Sequence, residues 1–156
     1  MKRRAALLGA LLGLATSAGW AQAPVAQVTV TGRVAQPATY SVEALAAMPG
    51  FEVQGATHGT QISTFVGAML WPLIAAAGPL DGPERGSHLQ HVIFARGADG
   101  YVVALAIGEI DPEFEGKPVI VAYKQDGALL PAPRLVVPGD RRAGRNVREL
   151  VAIEVR

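Results

Sequence analysis

The chain has 156 residues, half of them hydrophobic, with 14 basic and 13 acidic side chains and a formal charge of +1. It contains no cysteine, which excludes a disulfide framework, a thiolate metal site and a cysteine nucleophile. There is no internal repeat or low-complexity tract, and the frequent Gly and Pro (18 and 11) call for short elements joined by loops.

The first segment reads as an export signal. Lys2, Arg3 and Arg4 form a basic start, Ala5 to Ala18 is uncharged and rich in Leu and Ala, and small residues follow at Ala21 and Ala23. That order is the one a secretory signal peptide uses. The apolar run is short for a spanning helix, which needs about 20 residues. Cleavage is expected after Ala21, because a cut after Ala23 would leave Pro24 at the new terminus. This assigns 1–21 to a signal peptide and 22–156 to one domain working in the periplasm or outside the cell, with no membrane span after cleavage. Arg3-Arg4 is also compatible with twin-arginine export. Losing 1–21 removes three of the 14 basic residues and no acidic one, leaving 11 against 13 and a net charge of −2. The basic balance of the precursor is therefore no argument for a nucleic-acid partner.

Val28, Val30 and Val34 alternate with polar residues, as in a half-buried strand. Ser41 is placed to cap a short helix from Val42 to Met48, stopped by Pro49-Gly50. Phe51 to Ala56 suits a strand and residues 57–60 a polar turn. Gly67 to Ala77 is expected to be a buried helix, ended by Gly78-Pro79, with Pro72 near its first turn. His88 to Arg96 reads as a strand, Gly97 to Gly100 as a hairpin turn, and Tyr101 to Ile107 as a strand buried on both faces. Strands follow at Pro118–Tyr123, Arg134–Val137 and Leu150–Val155, the last with Val151, Ile153 and Val155 on one face. The whole reads as α+β: mixed, mainly β sheets with two or three short helices.

The densest chemistry lies at the end. Five arginines (134, 141, 142, 145 and 148) fall within fifteen residues, in a strand that runs into a loop bounded by Gly139 and Gly144. Loop amides with arginine forks suit an anion, above all a phosphate. The alternative is a solvated loop whose arginines pair with Asp140 and Glu149. The histidines offer less. On one strand, His88 and His91 would point to opposite faces and could not chelate together. His58 sits in a polar turn with no nucleophile elbow in the sequence. Glu109, Asp111, Glu113 and Glu115 read as a solvated acidic turn, Trp71 as core, and Asp99 as a turn residue. No dinucleotide or P-loop glycine pattern occurs.

Taken in order, these segments resemble the molybdopterin-binding domain of the sulfite-oxidase type. The likeness runs through Val28–Val34 with Pro37, Tyr40–Leu45 with Met48-Pro49, and Phe65-Val66-Gly67 with Leu70, Leu73, Ile74 and Gly78. It continues through Asp99-Gly100-Tyr101, Asp126-Gly127 with Leu129, Arg134–Gly139, and Val147-Arg148 with Ile153 and Val155. It covers most of the mature chain, and the C-terminal segment is its most specific part. The resemblance implies a compact α+β fold and a pocket for the phosphate and pterin of a molybdopterin cofactor. Arg134, Gly139, Arg145 and Arg148 are the expected cofactor-binding residues, and a redox partner protein is the expected associate. The family's molybdenum-ligating cysteine falls in the stretch Phe51–Thr64, which has none here, so thiolate-held molybdenum is not expected. A cofactor-free ligand- or protein-binding module on the same fold is the alternative.

Overall fold

The computed structural model describes residues 26–58 and 60–156; the signal-peptide reading of 1–21 lies outside them. β1 (Gln27–Gly32) buries Val28 and Val30 on one face, as their alternation requires. It turns back into the short β2 (Ala38–Ser41), and α1 (Val42–Ala46) follows, with Ser41 Oγ accepting the Ala44 amide at 3.2 Å. The helix presents Leu45 to the core.

β3 (Gly50–Ala56) and β4 (Ile62–Met69) form a hairpin, and α2 (Leu70–Ala77) leaves the end of β4. Gly67 to Met69, read as the start of a helix, are strand residues. Their apolar run carries no period by which helix and strand could be told apart. α2 ends on Gly78 in the left-handed conformation with φ 66°. A second correction concerns His88: a 3₁₀ turn (Ser87–Gln90) precedes β5 (Val92–Gly97), so His88 and His91 do not share a strand. β6 (Val102–Ala106) is buried on one face only, and α3 (Ile107–Ile110) begins where the apolar run was expected to stay extended. β7 (Ile120–Gln125) and β8 (Ala128–Val136) form the last hairpin. A 3₁₀ turn (Ala143–Arg145) then leads into β9 (Leu150–Val155).

The strands make two sheets, ordered β2-β1-β9-β5-β6 and β3-β4-β7-β8. β1 and β9 are parallel and the other pairs antiparallel. The fold is thus α+β with a mixed sheet and short helices. Between the sheets, Val28, Val30, Ile93, Leu105, Ile153 and Val155 meet Ala68, Val121 and Leu135, with α1 and α2 filling the edge. In β9 it is Leu150, Ile153 and Val155 that are buried, while Val151 is exposed. The register shift opposite Arg96 and Gly97 breaks the simple alternation. Among the described residues no helix is long and apolar enough to cross a membrane.

The four-stranded sheet curls, and the curl positions the arginines. Val53, Phe65, Ile120, Ala122 and Val136 make a second cluster on its other face. Its two edge strands approach: a Cβ at Gly55 would lie 2.6 Å from Val136 Cγ1. At the bulge between Val66 and Gly67, a Cβ at Gly67 would collide with the Val121 carbonyl and Ala122 Cα on β7. Gly67→Ala is therefore expected to cost about 2–3 kcal/mol of unfolding free energy, read as a lower midpoint in urea with an unchanged slope.

Candidate functional site

Arg134 occupies the inner side of the curled sheet, two residues before buried Val136 on β8. Its guanidinium lies over the Phe65 ring, 5.6 Å from the centroid, within cation–π range. Nη1 donates to Gln125 Oε1 at 2.9 Å, and among the described residues the other donors of the fork bond no side chain. Burial, then the nearby charge of Arg148, lower the proton affinity of this guanidinium. Arg148 is exposed, and its Nη2 lies 2.8 Å from His58 Nε2. Among the described residues, neither arginine has a carboxylate within salt-bridge distance. His58 stands in the β3–β4 loop, inside the stretch where the family resemblance calls for a cysteine.

Gly139 follows β8 in the left-handed region with φ 85°, and open space surrounds it. The loop beyond it is tied back by Asn146. Its Oδ1 accepts the Val137 amide at 2.8 Å, and its Nδ2 donates to the Ala56 carbonyl at 2.6 Å. One amide side chain therefore holds the β8–β9 loop against the end of β3, next to Arg148 and His58. Asn146→Ala leaves both backbone groups without this partner. It should cost about 2–3 kcal/mol and speed amide exchange at Val137, read by hydrogen–deuterium exchange.

Arg145 is set apart from this pair. Its Nε and Nη2 grip Asp140 at 2.8 and 2.7 Å, and Nη1 reaches Glu109 Oε2 at 2.8 Å. Lys117 joins Glu109 at 3.4 Å. The pairing with Asp140 is the one the solvated-loop alternative named; among the described residues Glu149 has no such bridge. The hydrogen bonds from Arg145 hold the Asp140 carboxyl below its ordinary range. At Glu109 partial burial pushes the carboxyl upward. Hydrogen bonds from Arg145, the Ala106 amide and Lys117 outweigh it, so the net direction is again down. Carboxyls depressed by folding contribute stability above their unfolded pKa and lose it as the pH falls through the folded one. Stability should therefore drop between neutral pH and pH 3, and Arg145→Met should flatten that drop while costing about 2 kcal/mol at pH 7. Urea denaturation at a series of pH values checks both.

A second group of ionisable residues gathers at the far end of β5. Asp81 comes from the loop after α2, His88 from the 3₁₀ turn and His91 from the residue before β5. Asp81 Oδ1 lies 3.2 Å from His88 Nδ1 and 2.8 Å from His91 Nε2. His88 Nε2 meets Asp111 Oδ2 at 2.9 Å, and Asp111 is buried rather than part of a solvated acidic turn. At His88 partial burial disfavours the charged ring. The hydrogen bonds to Asp111 and Asp81 outweigh this and raise its pKa above the ordinary value. Sequence reasoning missed this cluster because it placed both histidines on one strand.

No family model matches the chain, and no curated protein does. Among solved structures it is similar to the sulfane dehydrogenase SoxCD from Paracoccus pantotrophus, with a TM-score of 0.62 and 20% identity over 83% of this chain and 37% of that one. The likeness shows the fold. The chain spans little more than a third of the length of that protein, so it shares the architecture of one part of an oxidoreductase.

Proposed function

We propose that the mature chain, residues 22–156, is an exported binding domain for a phosphorylated ligand of the molybdopterin class, held at Arg134 and Arg148 in a redox-accessory role. The observation that carries this reading is the pair itself: two guanidiniums near enough to repel, one partly buried and one exposed, with no carboxylate of the described residues within salt-bridge distance. A phosphate supplies the missing charge. Arg134 has its edge free for a bidentate contact, because Phe65 supports its face and Gln125 takes one donor. Arg148 adds a second, exposed cation.

The donor set fits the phosphate of such a cofactor but not a thiolate-bound molybdenum, since the chain has no cysteine. No redox step through the metal is assigned. The same absence favours the second reading, a cofactor-free module for ligands or partner proteins on this fold.

The test uses 6-hydroxymethylpterin with and without its phosphate as the fluorescent probe. The phosphorylated form is expected to bind selectively, and Arg134→Ala to weaken it about ten-fold or more. Equal binding of the two forms, or no change in Arg134→Ala, overturns the assignment. Pterin and metal analysis of protein recovered from its native export compartment separates the readings, because the cofactor-free module carries neither.

A further inference from the structure

We infer that Asp81, His88 and His91 form a binding site for a divalent late transition metal of the Zn²⁺ class, independent of the arginine pair. The three inward atoms, Asp81 Oδ1, His88 Nδ1 and His91 Nε2, all lie within 4.8 Å of one another. The two nitrogens stand 3.2 and 2.8 Å from the carboxylate oxygen. Adjacent ligands of a tetrahedral zinc are about 3.3 Å apart, given bonds near 2.0–2.1 Å. The ring planes are 80° apart with centroids 6.0 Å from each other, and the two rings present these nitrogens to the same carboxylate oxygen. Imidazole nitrogen with carboxylate oxygen is the donor set that suits Zn²⁺ and its neighbours.

The outward atoms supply the second argument. His88 Nε2 faces Asp111 Oδ2 at 2.9 Å, and His91 Nδ1 faces the Arg156 carbonyl at 3.4 Å. Every ring nitrogen of the pair thus points at an oxygen acceptor. Two neutral imidazoles carry two N–H groups, whereas the four contacts call for four. Neutral rings that satisfy the outward acceptors turn both inward lone pairs toward Asp81, and either added protons on the rings or a cation between them must relieve the repulsion. A divalent cation between them converts both lone pairs and the carboxylate into ligands. The outward N–H groups then act as the supporting hydrogen bonds that metal-bound histidines commonly make.

The surroundings suit a loaded site. His91 is 2% exposed, directly before β5, while the Asp81 side chain is 45% exposed, which leaves an entry path for an ion. The loop that carries Asp81 is fixed on both sides. Arg33 Nη2 donates to the Leu80 carbonyl at 3.2 Å and Ser87 Oγ to the Gly82 carbonyl at 2.8 Å. Trp71 packs edge-on against His88 with centroids 6.2 Å apart, walling one side.

The test is zinc titration of the full mature chain, followed by Co²⁺ substitution and visible absorption. One equivalent of Zn²⁺ is expected, raising the thermal midpoint, and Co²⁺ should show the intense bands of four-coordinate geometry. Asp81→Asn and His91→Gln should abolish stoichiometric binding. Asp111→Asn should weaken it about ten-fold, and His58→Gln should leave it unchanged. Asp81 is exposed enough for Asp81→Asn to fold normally, which circular dichroism verifies. Binding that is no tighter in the wild type than in Asp81→Asn overturns the site, as does binding that follows His58 instead.

Discussion

The structure depends on the insertion of β9 between β1 and β5. Ile153 pairs with Val30 on one side and with Ala95 on the other, and all three are fully buried. Without β9 the five-stranded sheet splits into two hairpins, neither able to bury its face alone. The same strand ties both chemical sites to the core. Arg148 lies two residues before it and Arg156 directly after it, so the arginine pair and the histidine cluster are anchored to opposite ends of one strand.

The two arginine environments illustrate how similar residues take on different work. Arg145 meets two carboxylates, Asp140 in its own loop and Glu109 on α3, which makes it a clamp on the chain between Gly139 and Asn146. Arg134 and Arg148 meet an aromatic face, an amide and an imidazole, none of which cancels charge. Placing like charges together in a partly buried setting disfavours the folded state. The pair is therefore no stabilising device, and in the proposed function an anion offsets its repulsion. Asn146 links these environments, because the loop it holds carries Arg145 on one side and Arg148 on the other.

Much of the fold was legible in the residues. The Val28/Val30 alternation, the Ser41 cap, the Gly78 stop and the turns at Asp99-Gly100 and Asp126-Gly127 all rest on local rules and appear as those rules require. β2 was missed because four residues carry too little pattern. β4 was hidden because its last three residues merge into the apolar helix that follows. At the candidate site, the loop after Arg134 was legible from its arginines and glycines. Which arginine would be neutralised was not, since Glu109 reaches Arg145 from 36 positions away. The histidine cluster escaped for a geometric reason. The three-residue spacing of His88 and His91 means opposite faces on a strand and one side on a tight turn, and only the position of the turn before β5 decides between them. The preceding Gly86, left-handed at φ 78°, was the available signal.

The parallel pairing of Thr29 with Ala152 has a kinetic consequence. Closing that loop brings together nearly the two ends of the folded chain before any contact rewards it, and folding slows as such distant pairings come to dominate. Until β9 arrives, β1 and β5 each present an open edge to other chains. Newly made polypeptide is expected to stay adhesive at those two edges until the C-terminal strand fills the gap between them.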